Sequence, residues 1–117
     1  MKAYEKLIKL SYDLIMVLLK TIEVKDVYTK NHSENVSNLS LIIASYIGFT
    51  PNKLNDIKIA GYLHDIGKIG ISETILNYPN KLDPPSRKII ENHPILGAEI
   101  IGSVDSLSHL ANFVRQH

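Results

Sequence analysis

Apolar residues recur three and four positions apart almost everywhere in this chain, and no stretch alternates convincingly with period two. That periodicity predicts amphipathic helices and leaves no segment that reads as a strand. The expected fold class is therefore all-α: a helical bundle of about five to six helices, with no sheet. The first segment spans residues 3–24, with Leu7, Leu14, Leu18 and Ile22 on one side. A polar break at 25–31 precedes a second segment, 32–47, that Gly48 can end. Thr50 and Pro51 read as an N-cap followed by a first-turn proline, opening a third segment over 51–65. Gly67 and Gly70 punctuate a loop, and 72–76 can make one short helical turn. Residues 77–85 hold three of the five prolines and read as a loop. A fourth segment begins near Pro84 and must end or kink at Pro94. A fifth runs from Pro94 to about Ile101, and a sixth from about Val104 to the end.

Composition removes several function classes. The chain has 117 residues and no cysteine, so disulfides, thiolate metal sites and thiol catalysis are excluded. Thirteen basic residues against 12 acidic ones give a net charge of +1, with no basic stripe for a DNA or RNA polymer. The longest apolar run, Leu14 to Leu19, is far short of the ~20 residues of a membrane span. The start of the chain lacks the pattern of a cleavable signal. The expectation is a cytoplasmic protein, or a cytoplasmic piece of one, with no membrane insertion in this chain.

Histidines at the ends of inward stripes are the functional clue. The expected stripe of the second segment is Val36, Leu39, Ile43 and Tyr46 or Ile47, with His32 four residues before Val36. In the third, Leu54, Ile57 and Gly61 lead to His64 and Asp65. In the sixth, Leu107, Leu110 and Val114 lead to His117. His93 stands directly before the Pro94 kink, whereas His109 falls off its stripe and reads as a surface residue. A single buried histidine is more often a hydrogen-bonded core residue than a ligand. Four of them with an aspartate are the donor set for divalent transition metals when thiolates are absent. His64 and Asp65 are adjacent and so diverge by about 100° on a helix, yet they can converge at a helix end. A carboxylate has two oxygens and can bridge two ions. Asp26 reads as a helix-terminus or loop residue, given the capping preference of aspartate. Tyr12, Tyr46, Tyr62 and Tyr78 read as packing residues.

The string His64-Asp65-Ile66-Gly67-Lys68 resembles the HDIGK signature of HD-domain phosphohydrolases. The chain is similar in particular to the HD-GYP subfamily. Residues 25–36 resemble that family's first motif, around its opening metal histidine. Ile69-Gly70-Ile71 and then Ile75-Leu76-Asn77 resemble the loop after HDIGK, and residues 93–101 resemble the HPxxGxxIL motif. Val114-Arg115-Gln116-His117 resembles the approach to a double-histidine motif. The second histidine of that pair, the GYP loop and a late aspartate ligand are not in the sequence. On that pattern the expectation is a single, incomplete HD-type domain over 1–117, with 1–24 as its leading helix. Some family members have a glutamate at the position of Tyr28 and hold a third ion, so tyrosine resembles the two-metal members.

The resemblance implies two divalent ions, with iron or manganese favoured. His32, His64 and Asp65 would hold one, and Asp65, His93 and His117 the other, with Asp65 bridging. Asp65 and Lys68 would be the catalytic pair, Lys68 binding the substrate by neutralising a phosphate oxygen; read without the resemblance, Lys68 is a solvated loop lysine. The implied reaction is hydrolysis of cyclic di-GMP by a hydroxide shared between the ions. Two alternatives stay open: a catalytically inactive sensory or protein-interaction module, and an HD-type hydrolase of another nucleotide phosphoester. Exposed core would promote a homodimer or a domain-swapped dimer, and the resemblance implies sensor or GGDEF-type partner domains.

Overall fold

The computed structural model describes residues 2–26 and 31–116. Among them are seven α-helices and no strand. They are α1 (Ala3–Lys25), α2 (His32–Ile47), α3 (Pro51–Leu63), α4 (Glu73–Leu76), α5 (Pro84–Glu91), α6 (His93–Gly102) and α7 (Ala111–Arg115). Two 3-10 turns, Ile66–Gly70 and Ser108–Leu110, complete the order.

Local chemistry sets the ends. The Thr50 hydroxyl accepts from the Lys53 amide, and Pro51 fills the first turn of α3. The Ser72 hydroxyl caps α4, and the Asp83 carboxylate caps α5 at 2.8 Å from the Ser86 amide. Gly48 ends α2 at φ +94°, a left-handed conformation that a residue with a Cβ adopts only at a cost. The expected sixth helix is corrected. Residues beyond α6 turn, pass through the 3-10 segment at Ser108, and become α-helical only at Ala111. The Leu107 and Leu110 amides donate three residues back, to Val104 and Leu107, which is 3-10 rather than α geometry.

The core is built by Leu19 and Ile22 of α1, Tyr62 and Leu63 of α3, Ile66, Ile101 of α6, and Leu110 and Val114. Two expected stripes differ from this. On α2, Leu39, Ile43, Tyr46 and Ile47 face outward, and the buried residues are Ser33, Ser37 and Ala44. The reason is close approach: a Cβ on Gly61 of α3 would lie 2.7 Å from the Ser37 Cα. Only small side chains fit at that crossing. Ser37 is fully buried, and its hydroxyl donates to the Lys58 carbonyl at 2.8 Å, so its polarity is satisfied. On α1, Leu7 and Leu14 are exposed, and the inward face is carried by Ile15, Leu19 and Ile22. Tyr46 is likewise exposed rather than packed. Tyr12 and Tyr62 do pack, edge to face at 5.8 Å between ring centroids with their hydroxyls 2.9 Å apart. No helix among the described residues is long and apolar enough to cross a membrane.

Candidate metal centre

The HDIGK segment makes a helix end and a tight turn at once. α3 stops at Leu63 with His64 as its C-cap, and Asp65 sits at φ −102°, ψ 11° before the 3-10 turn. Leaving the α-helix at this point cancels the divergence of two adjacent side chains. The His64 Nε2 and Asp65 Oδ2 atoms come within 3.2 Å. His32, in the first turn of α2, brings its Nε2 to 3.2 Å from that of His64 and 3.5 Å from Asp65 Oδ2. His93, in the first turn of α6, reaches the other carboxylate oxygen, Asp65 Oδ1, at 3.1 Å. Asp65 thus turns one oxygen toward His32 and His64 and the other toward His93.

A second set of contacts fixes these rings. The Nδ1–H of His64 donates to the Gly61 carbonyl, and that of His93 donates to the Ile90 carbonyl, each at 2.6 Å. In the neutral tautomer this leaves each Nε2 as a lone pair aimed at the carboxylate. Lone pairs facing one another repel unless a proton or a cation lies between them. Donors held ~2.1 Å from one ion at tetrahedral or octahedral angles lie roughly 3.0–3.4 Å apart. The His32–His64–Asp65 triangle, at 3.2, 3.2 and 3.5 Å, has those dimensions. All three donor atoms lie within 4.8 Å of one another. The set fits a divalent metal.

In the metal-free cluster a proton meets the same need. Burial disfavours an imidazolium at His64, yet the hydrogen bond to Asp65 and its charge hold the His64 pKa above its ordinary value. Burial likewise opposes ionisation of Asp65. Hydrogen bonds from His64 and His93, with the charges of His64 and Lys68, overcome it and hold the carboxyl far below the usual carboxylate range.

Gly67 sets the approach of α6. A Cβ there would overlap the His93 carbonyl oxygen and lie 2.7 Å from the Gly97 amide nitrogen. Without that closeness His93 would not reach Asp65. Lys68 is not a solvated loop lysine. Its side chain is 12% exposed, and Nζ lies 3.2 Å from Asp26 Oδ2 and 3.4 Å from Asp65 Oδ2. Asp26 is the C-cap residue of α1, a helix terminus as expected, and in addition it holds this lysine. Two further contacts tie the end of α1 to the same region: Lys25 Nζ to the Ile69 carbonyl at 2.6 Å, and Asn77 Nδ2 to the Lys25 carbonyl at 2.8 Å. The sequence offers no signal for these pairings, because the partners stand 42 or more residues apart. His109 is a surface residue, paired with Asp56 at 3.0 Å. The expected ligand His117 and the informative Tyr28 lie outside the described residues.

The HD domain family matches residues 29–117. A cyclic di-GMP phosphodiesterase of Thermotoga maritima is 35% identical over 95 residues, covering 81% of this chain and 26% of that protein. A cyclic di-GMP phosphodiesterase of Pseudomonas aeruginosa is 35% identical over 104 residues, covering 89% of this chain and 24% of that protein. A 3'3'-cGAMP-specific phosphodiesterase of Vibrio cholerae is 31% identical over 98 residues, covering 84% of this chain and 21% of that protein. The chain spans about a quarter of the length of the curated relatives it matches. The matched family implies dependence on a divalent metal, and the histidine–aspartate cluster lies within the matched residues. With its HD pair at the end of α3 and its match over residues 29–117, the chain belongs to the HD domain family.

Proposed function

We propose that this chain carries the metal centre of a phosphodiesterase of the HD-GYP type that hydrolyses a cyclic dinucleotide, cyclic di-GMP first. The observation that carries the reading is the divided carboxylate of Asp65, whose two oxygens face different histidines. His32, His64 and Asp65 would hold one divalent ion, and Asp65, His93 and His117 a second, with iron or manganese preferred. Bound there, such ions supply Lewis acidity toward a phosphoryl oxygen and lower the pKa of water toward neutrality. The names of the relatives support the substrate class, since they act on cyclic di-GMP or 3'3'-cGAMP.

The chain's own residues supply positioning and charge. The Gly61 and Ile90 carbonyls hold the His64 and His93 rings in the tautomer that presents Nε2 inward. Asp65 stays ionised across the physiological range because its neighbours hold its pKa low. Asp26 and Asp65 keep the Lys68 ammonium at the edge of the cluster. From there it donates to a non-bridging phosphate oxygen as negative charge grows on it. His32 is the most exposed of the four donors, with 43% of its side chain accessible, so the substrate arrives from its side.

The test is metal content and turnover together. Protein purified without chelator should hold about two iron or manganese ions per chain, and His64→Ala and Asp65→Ala should lose them. The metal-loaded chain should convert cyclic di-GMP to the linear dinucleotide. Turnover of mononucleotides with none of cyclic dinucleotides would refute the substrate reading. Metal content unchanged by both substitutions would refute the site.

A further inference from the structure

α1 has two apolar faces. The inward one, through Ile15, Leu19 and Ile22, joins the core. The outward one runs through Ala3, Leu7, Leu10, Leu14, Val17, Thr21 and Val24, spaced alternately four and three residues apart. At about 100° per residue the two faces lie about 140° apart. Leu7, Leu10, Leu14, Val17 and Val24 are each between 54% and 80% exposed. A four-three spacing kept over three heptads is the a/d pattern of a coiled-coil seam. The Thr21 hydroxyl does not interrupt it, because it donates to the Val17 carbonyl of its own helix at 2.8 Å. Between Ala3 and Leu14 this helix is anchored by Tyr12 against Tyr62 while its outward face stays uncovered, and a helix end held by so few contacts is marginal in water.

We propose that this seam pairs, antiparallel, with α1 of a second copy of the chain. Set residue n opposite residue 31 − n of the other copy. Leu7 then meets Val24, Leu10 meets Thr21 and Leu14 meets Val17, so the seam is complementary to itself about a two-fold axis. The flanking charges select this orientation. Asp13 and Lys20 both border a shallow groove with Val17, Thr21 and Val24. In the antiparallel pair Asp13 lies beside Lys20 of the other copy, and this happens twice. In a parallel pair Lys20 would instead lie beside Lys25, a like-charge contact. Asp13 now makes only an exposed ion pair, with Lys9 at 2.9 Å, which exchanges at little cost. The Lys20 ammonium, by contrast, holds Glu34 at 2.8 Å, Asn31 Oδ1 at 2.9 Å and Glu23 at 3.5 Å, and would share its charge with Asp13 of the other copy.

Sedimentation velocity over roughly 1–100 μM reads the outcome, since weak dimers dissociate within that range. The wild-type chain should reach twice its 13.1 kDa mass. Leu10→Glu with Val17→Glu should be monomeric with unchanged helical circular dichroism, because neither residue touches the core. Asp13→Lys alone should weaken association roughly tenfold through two repulsive pairs, and adding Lys20→Asp should restore it. A wild-type monomer at the highest concentration would overturn the proposal. So would a dimer that survives the two glutamates. A dimer indifferent to the charge exchange would overturn the antiparallel register.

Discussion

Replacing Gly67 with alanine tests whether the metal centre depends on close backbone approach. The added methyl group meets the backbone of α6 at two points, the His93 carbonyl and the Gly97 amide, and no flexible side chain can yield. The Gly97 nitrogen, 2.7 Å from the new carbon, must retreat by at least about 0.7 Å to reach an ordinary contact of ~3.4 Å, and the overlapped His93 carbonyl oxygen by more. His93 rides on the same helix, so its Nε2 moves by a similar amount from Asp65 Oδ1. Metal–ligand distances tolerate roughly 0.2 Å. Overpacking against rigid neighbours costs about 3 kcal/mol. For a chain of this size that lowers Tm by roughly 12 °C. Gly48→Ala is the control. It also introduces a methyl group, at φ +94° with nothing within 4 Å, and should cost about 1 kcal/mol of backbone strain. Thermal unfolding of the metal-free proteins and metal content of the loaded ones should separate the two. Gly67→Ala should lose stability and the ion on the His93 side, and Gly48→Ala a little stability and no metal. Equal effects of the two substitutions on both readouts would refute the argument.

Three further outcomes follow from the same geometry. Lys68→Met leaves two buried carboxylates without their ammonium and should destabilise the metal-free chain by about 3 kcal/mol in urea unfolding. Ser37→Leu forces α2 away from Gly61 and should cost at least 2 kcal/mol, whereas Ser37→Ala, which loses the bond to the Lys58 carbonyl and the contact with the Tyr62 hydroxyl, should cost about 1 kcal/mol. Burial, with the hydrogen bond to Tyr12, pushes the Tyr62 hydroxyl up to about 12. Its folded pKa then exceeds its unfolded value of ~10, so its stabilising contribution is complete below pH ~10 and fades, by about 2 kcal/mol, as pH rises toward 12. Ultraviolet titration of the six tyrosines should show one late ionisation, absent in Tyr62→Phe.

Sequence periodicity located most helices because their ends are chemical. Thr50-Pro51, Ser72, Asp83-Pro84 and Gly48 each satisfy or release backbone groups locally, and a local rule can read them. It failed where tertiary contact decides. On α2 the apolar residues have helical spacing, but the inward face is the one with serines and an alanine. A hydrophobic-stripe rule assumes that the largest side chains go inside. When the partner helix presents Gly61 at the crossing, the inside has no room for them, and Ser37 fits because its hydroxyl finds the Lys58 carbonyl.

The site shows the same division. His64 and Asp65 were legible at the end of an expected stripe, and the HDIGK string as a helix stop, whereas the stripe that led to His32 faces outward. What the string does not spell out is why its glycine, and Gly70 just after it, differ from an ordinary cap. Gly67 is there for the α6 backbone, and a Cβ at Gly70 would run into the Leu96 side chain. The role of Asp26 was hidden for another reason. Its local signal, a helix terminus, is true and accounts for the residue completely at short range. Only the fold brings Lys68 from 42 positions away to 3.2 Å. The ammonium then stands between Asp26 and Asp65, and removing either carboxylate changes where that charge sits relative to the cluster. Asp26→Asn should therefore leave metal content intact, because Asp26 contributes no donor to the histidine triangle, while lowering kcat through a displaced Lys68. Loss of metal in Asp26→Asn would instead make it part of the ligand set.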